Sequence, residues 1–258
     1  MPVIPTAIVL ASAAGAAYLA ARLQALTWDG AIAAFVVGAC AFGFLGIAGA
    51  ATLFAFFIPA ALLSRYGRSR KRVLADVPKA GARTATQVLA NGGVAALCAV
   101  FAFRSPLLVA AFVGAFAAAA ADTWATEIGT LARGAPRSIL SGRPLATGLS
   151  GGVTLAGTFA EICGACVVGV VASAFGLIPW WIAATAGLVG ATADSVLGAT
   201  MQTLRHCPVC SRNCETNPHT CGTPTRAVRG WLWFGNDAVN LSATAIGAAS
   251  ALAAVLLL

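Results

Sequence analysis

The chain has 258 residues, 59% of them hydrophobic and only 9% charged, with a mean hydropathy of +0.87. No water-soluble domain of this length could bury so much apolar surface, so the solvent for most of the chain is lipid. The formal charge of +8 does not point to nucleic acid, because the basic residues occupy short loops between apolar runs, the pattern by which a membrane protein orients itself.

Only helices and closed barrels satisfy their backbone groups inside a bilayer, and long unalternating runs of Ala, Val, Leu, Gly and Phe fit helices. The expected fold is all-α: a polytopic integral membrane bundle forming a single transmembrane domain over residues 1–258. At about 20 residues per crossing, eight spans follow in chain order: 3–21, 29–47, 49–64, 86–103, 106–131, 150–174, 178–202 and 236–257. The first reads as a spanning helix rather than a signal peptide, since nothing basic precedes it. The stretch from Gly30 to Leu63 admits two readings, a helical hairpin broken between Gly43 and Gly49 or one spanning helix followed by a re-entrant piece. Abundant Ala and Gly allow the helices to approach closely. Two loops are large enough to carry extra structure, the basic stretch 65–83 and the cysteine-rich stretch 205–230.

Placing alternate loops on alternate sides puts all of the 16 basic residues except Arg104 on one side. That asymmetry assigns the loops at 65–85, 132–149 and 203–235 to the cytosol and both termini to the outside of a cell (inner) membrane.

Ionisable residues inside spans are costly and face a partner, a cavity or a site. Asp122 and Glu127 lie toward the cytosolic end of the fifth span, Glu161 lies deeper in the sixth, Asp194 is near the cytosolic end of the seventh, and Asp237 opens the eighth. Neutral polar residues extend these positions as helical stripes: Arg83, Gln87 and Asn91; Asp122, Thr126 and Thr130; Ser150, Thr154, Thr158 and Glu161; Asn236, Asn240 and Thr244. One such stripe is ordinarily interhelical glue. Several acids at similar depth are different, because they repel unless protons or a cation neutralise them, and Mg²⁺ held by carboxylates commonly brings phosphates with it.

Residues 133–152 add Arg133, Arg137, Arg143 and the turn Gly148-Leu149-Ser150-Gly151-Gly152 at a helix start, where free amides and close backbone approach favour an anion. In the last large loop, Cys207-Pro208-Val209-Cys210 is followed by Cys214, His219 and Cys221. This pattern resembles a zinc knuckle, with Cys214 and His206 as alternative ligands. A disulfide there would not persist on the reducing side of the membrane. Cys40, Cys98, Cys163 and Cys166 lie in apolar spans and read as small packing residues.

The strings QVLANGG (87–93), ADTWATEIG (121–129), GLSGGVTLAGT (148–158), ADSVLGATMQ (193–202), the CPVC to HTCG loop (207–222) and NDAVN (236–240) resemble the integral membrane family that includes plant and cyanobacterial phytyl-phosphate kinase. The resemblance runs from about Arg83 to Asn240. The spacing Asp122-x-x-Ala125-x-x-x-Gly129, then Ser141-x-Arg143, then Gly148-x-x-Gly151-Gly152 is more distantly similar to CTP-using membrane enzymes such as phosphatidate cytidylyltransferase and the polyprenol kinases. In those enzymes the acid binds metal and the Ser/Lys/Gly segment engages phosphates. Here Arg143 and Pro144 stand at the two lysine positions and Thr147 replaces a glutamate.

The resemblance implies phosphoryl transfer from a nucleoside triphosphate, with CTP the expected donor, to a prenyl monophosphate such as phytyl phosphate. Asp122, Glu127, Asp194 and Asp237 would hold Mg²⁺ or orient substrate. Arg83, Arg137 and Arg143 would hold phosphate charge, joined by Gln87, Asn91, Ser141, Gly148, Ser150, Gly151, Gly152, Ser195, Asn236 and Asn240. The family pattern supplies Cys207, Cys210, His219 and Cys221 as the structural Zn²⁺ ligands. Two alternatives stay open: a CTP-dependent lipid cytidylyltransferase, and a lipid-phosphate or ion-coupled transporter, against which stands the gathering of the acids at one side.

Overall fold

A computed structural model of the chain describes residues 5–69, 71 and 81–258. Arg70, Arg72 and Lys79 of the basic loop, and the first residues of the first predicted span, lie outside the described residues. Seven helices are present among the described residues: α1 (Thr6–Arg22), α2 (Trp28–Arg65), α3 (Ala85–Phe101), α4 (Leu107–Gly129), α5 (Leu155–Ala174), α6 (Trp180–Thr200) and α7 (Asn236–Leu256). Short strands occupy the loops: β1 (Arg137–Ser138) pairs with β2 (Gly152–Val153), and β3 (Leu204–Cys207) lies between β4 (Arg212–Cys214) and β5 (Arg226–Arg229), all antiparallel.

Helix α2 resolves the ambiguous stretch. Gly46 within it has φ 60° and ψ −150°, a conformation essentially reserved for glycine. The helix reverses there: a β-carbon on Gly49 would collide with the carbonyl of Ala41, although residues eight apart in a straight helix lie about 12 Å apart. Both ends of α2 therefore reach the same end of the bundle. The Thr27 amide donates to the Arg83 carbonyl at 3.0 Å, and the Arg65 guanidinium donates to the carbonyl of Leu23. Of the two readings of this stretch, the helical hairpin is the one formed. Among the described residues, five helices are long and apolar enough to cross a membrane, whereas α1 and α3 have 17 residues each. The expected eight spans require those two helices and a separate crossing by each limb of α2.

Helix α4 is the axis of the fold. Its residues from Ala110 to Ala121 are all buried, with α2, α3, α5, α6 and α7 packed around them. An almost unbroken alanine run makes this possible, since small side chains let several helix backbones approach one another. Phe112 and Phe116 add the bulk, meeting edge to face at 5.1 Å between centroids. The outer surface is as apolar as the core: Leu155 is 93% and Phe159 69% exposed, as expected where lipid is the solvent. The loops joining α2 to α3, α4 to α5 and α6 to α7 collect at one end of the bundle, linked by Lys71 to Glu127 and by Ser150 to Glu215. Arg104 lies in the short turn between α3 and α4 at the other end.

If the reversal depends on glycine at position 46, Gly46→Leu should cost about 1–3 kcal/mol of stability. Thermal unfolding in detergent should show the loss, while Gly15→Leu, at a position where a β-carbon meets nothing within 4 Å, should leave the midpoint nearly unchanged. An unaltered midpoint for Gly46→Leu would contradict the hairpin.

Candidate functional site

At the end where the loops gather, a cavity of about 350 Å³ opens among α3, α4, α5, α6 and α7. The polar stripes recognised in the sequence converge on it. Arg83, Gln87 and Asn91 line one wall; Asp122 and Glu127 come from α4, Glu161 from α5, Asp194 and Ser195 from α6, and Asn236 and Asn240 from α7. The turn formed by Gly148, Ser150, Gly151 and Gly152 closes the remaining side. Each stripe repeats every four residues from a helix end, so helices that end together present their polar faces at the same depth.

Four expected site residues lie elsewhere. Asp237 is in the first turn of α7 but not on the cavity wall. Successive helical residues are rotated by about 100°, so with Asn236 and Asn240 on the wall, Asp237 is turned away, and its charge complements the helix N-terminus instead. Arg137, Ser141 and Arg143 are exposed. A tight turn, closed by the Arg137–Pro144 bridge and by the Ser138 amide donating to the Arg143 carbonyl at 2.8 Å, leaves residues 140–143 exposed, and there Arg137 donates to the carbonyl of Gly142 at 2.9 Å and the Ser141 hydroxyl accepts from the Arg143 amide at 3.5 Å. The glycine turn thus enters the cavity without the arginines that flank it in sequence. Thr244 serves as interhelical glue, donating to the Ala90 carbonyl at 3.1 Å.

The electrostatics depend on residues that sequence patterns do not single out. Lys71 Nζ lies 2.6 Å from Glu127 Oε2 and also donates to the Leu63 carbonyl at 2.7 Å, while the Ser64 hydroxyl donates to Glu127 Oε1 at 2.5 Å. The two charged side chains are 7% and 17% exposed, and such a pair is held together because separating it would strand a charge in a poor solvent. Glu127 is therefore committed to a protein cation. In the sequence Lys71 belongs to a basic run that signals only topology, and its role becomes visible when α2 doubles back. Arg83 is pinned through its backbone to the α1–α2 connection, its amide donating to the Ala25 carbonyl at 3.0 Å. Burial pushes its pKa down, and the charges of Glu127 and Asp122 oppose that shift. Gln87 accepts from the Thr84 amide at 3.0 Å as a capping residue, and Asn91 donates to the Gln87 carbonyl at 2.9 Å; both side chains hold their helix end as well as lining the wall.

Glu215 is a second residue not foreseen. The Ser150 amide donates to its Oε1 at 2.6 Å and Gln202 Nε2 to its Oε2 at 2.9 Å, so a carboxylate from the cysteine-rich loop lies on an amide of the glycine turn. The turn itself is tight against α6, where a β-carbon on Gly151, at φ 81°, would meet Ala199 Cβ at 2.5 Å.

Above this turn, Cys207, Cys210, His219 and Cys221 place one ligand atom each within 4.8 Å of all the others. The two sulfurs of Cys207 and Cys221 are 3.7 Å apart, and His219 Nδ1 is 3.1 Å from Cys221 Sγ. A tetrahedral ion with metal–sulfur bonds of about 2.3 Å would space sulfurs by about 3.8 Å, so the four can hold a metal ion. Hydrogen bonding with Thr223 and His219 brings the Cys221 thiol down to about 5, whereas hydrogen bonding with Cys221 and desolvation push the Cys210 thiol up to about 11. The alternative ligands point elsewhere: His206 Nδ1 pairs with Asn213 Oδ1 at 3.1 Å, and Cys214 Sγ contacts the Thr216 carbonyl at 3.7 Å. All eight cysteines are free thiols.

Fold and site together define a multi-pass helical membrane protein with a polar cavity at its loop-bearing end. The chain belongs to the family described as integral membrane protein DUF92, whose model matches residues 11–248, so the family likeness extends well N-terminal to the motifs that begin near Arg83. The chain is 31% identical over 226 residues to Protein PGR of Arabidopsis thaliana, covering 75% of this chain and 77% of that protein. It is 32% identical over 183 residues to an uncharacterized membrane protein of Methanocaldococcus jannaschii (69% and 75% covered), and 26% identical over 228 residues to one of Synechocystis (85% and 78% covered). No solved structure matches the chain.

The cluster geometry predicts about one metal ion per purified chain. Elemental analysis should show that ion lost in Cys207→Ser/Cys210→Ser and kept in Cys214→Ser; equal metal content in the two variants would contradict the ligand assignment.

Proposed function

We propose that this protein is a membrane prenyl-phosphate kinase, transferring a phosphoryl group from a nucleoside triphosphate, with CTP the expected donor, to an isoprenoid monophosphate. The observation that carries the reading is the convergence of carboxylates, the cations Lys71 and Arg83, and a glycine turn on one cavity of about 350 Å³, a volume in the range of small-ligand sites. The donor set suits a hard cation, because Asp122 and Asp194 line the cavity with Asn236 and Asn240, and oxygen ligands are what Mg²⁺ takes. Asp122 and Asp194 would hold it, and it would neutralise phosphate charge there. Glu127, committed to Lys71, would position that cation instead.

In the reaction a phosphate oxygen of the lipid attacks the terminal phosphorus of the nucleotide, the bond to the bridging oxygen breaks, and the products are a lipid diphosphate and a nucleoside diphosphate. The lipid phosphate is largely dianionic at neutral pH, so no general base is required. Positioning and charge compensation dominate such transfers. Arg83 and Lys71 would balance phosphate charge, Asn91 would orient it, and Glu215 would hold the Ser150 turn in place. Zn²⁺ is the ion proposed for the cysteine cluster, with a structural role, since three thiolates and one imidazole leave no open position. The cavity would face the cytosol, from which nucleotide arrives, in keeping with the basic loops around it.

Cytidylyl transfer to a lipid phosphate is the second reading, favoured by the pattern linking Asp122 to Gly151-Gly152, of which Asp122, Ala125, Gly129, Gly148, Gly151 and Gly152 line the cavity and Ser141 and Arg143 do not. Purified protein with Mg²⁺, labelled CTP and a prenyl monophosphate distinguishes the two. The kinase yields prenyl diphosphate and CDP; a CDP-lipid with pyrophosphate selects the second reading. Asp122→Asn should lower turnover about 100-fold with little change in thermal stability, and Glu161→Gln should be milder. No product with phytyl, geranylgeranyl or farnesyl phosphate across CTP, ATP, GTP and UTP would refute the kinase reading.

A further inference from the structure

A second cavity, of about 460 Å³, lies between α1, the two limbs of α2 and α3. Its walls are hydrocarbon: Ala13, Ala16 and Ala17 from α1, Ala34 and Gly38 from the first limb of α2, and Ala50, Ala51, Phe54 and Phe57 from the second. Arg83 is its one charged residue, and Arg83 and Asn91 also line the polar cavity. The two cavities therefore abut at a guanidinium, whose carbon lies 5.8 Å from the centroid of the Phe56 ring on the apolar side. The apolar cavity extends from Leu26 and Arg83 at the loop-bearing end to Ile47 beside the hairpin apex. Ile47 and Phe54 on its rim are 65% and 38% exposed and face lipid, so the groove is reachable sideways from the bilayer.

We infer that this groove holds the hydrocarbon chain of a single-chain lipid monophosphate whose phosphate lies against Arg83. The inference rests on the proposed activity and deepens it. A molecule bridging the two cavities must carry an anionic head at Arg83 and an apolar tail beneath it. One continuous groove of this volume takes one chain, which selects an isoprenyl monophosphate over a two-chain lipid phosphate. Small residues set the width on α1 and the first limb of α2, and the reversal at Gly46 sets the depth. The groove is consequently a ruler, with Ala34 near the head end and Ala50 near the apex.

A photoreactive geranylgeranyl monophosphate analogue, crosslinked to the wild-type protein in detergent and mapped by mass spectrometry, tests the placement without relying on turnover. Adducts on α1 and both limbs of α2 are expected; adducts confined to other helices would overturn the inference. Transfer with geranyl and geranylgeranyl monophosphate then tests the ruler. Ala50→Phe should raise the ratio of geranyl to geranylgeranyl turnover by about tenfold, and Ala34→Phe should depress both. An equal loss for the two substrates in Ala50→Phe would count against the ruler. Groove adducts without any phosphoryl transfer would leave the tail site standing while removing the kinase reading.

Discussion

Everything at the loop-bearing end depends on one constraint, that several carboxylates placed in an apolar bundle must be charge-compensated. Asp122, Glu127, Glu161 and Asp194 share one cavity, and four acids in an apolar bundle require cations or protons to neutralise them. Among the described residues two cations line the cavity, and both come from the segment joining α2 to α3. Lys71 grips Glu127, and Arg83, tied by its backbone to the α1–α2 connection, faces Asp122 and Glu127. That segment can reach the acids because α2 reverses at Gly46 and returns its C-terminal end to the cavity. A backbone conformation available to glycine, at the far end of the bundle, thus underlies the electrostatics of the site.

The same logic links the cysteine-rich loop to the cavity. Cys207, Cys210, His219 and Cys221 lie within and between the strands of a small three-stranded sheet, and the neighbouring Glu215 reaches from it to the Ser150 amide. The Ser150–Glu215 hydrogen bond and the close contact of Gly151 with Ala199 hold the glycine turn against α6 on the cavity wall, and a metal ion in the proposed site would fix the loop that carries Glu215. Loss of the cluster is therefore expected to disturb the cavity through Glu215, at a distance from the acids themselves.

Much of this was legible in the sequence, and what was not has identifiable physical reasons. Apolar runs gave the helices, and four-residue spacing gave the cavity walls, because helical periodicity translates directly into a face. The metal-capable set Cys207, Cys210, His219 and Cys221 was legible only with the family resemblance, because four thiols and two imidazoles in one loop leave Cys214 and His206 open as alternatives until the fold turns them aside. Asp237 was misplaced because proximity in sequence to Asn236 says nothing of the rotation between neighbours on a helix. Arg137, Ser141 and Arg143 were grouped with the glycine turn because they adjoin it in the chain, but a separate turn closed by the Arg137–Pro144 bridge leaves them exposed, away from the cavity wall. Lys71, Ser64 and Glu215 were missed because their partners are 56 to 65 residues away, and only the folded chain brings them together.

In the proposed reaction the cavity, rather than the exposed arginine hairpin, receives the lipid phosphate. An experimental structure of the protein with an isoprenoid monophosphate and Mg²⁺ measures this directly. Phosphate density between Arg83 and Asp122, with the chain running between α1 and α2, is the predicted result. Phosphate density at Arg137 and Arg143, with the cavity filled only by solvent, would contradict it.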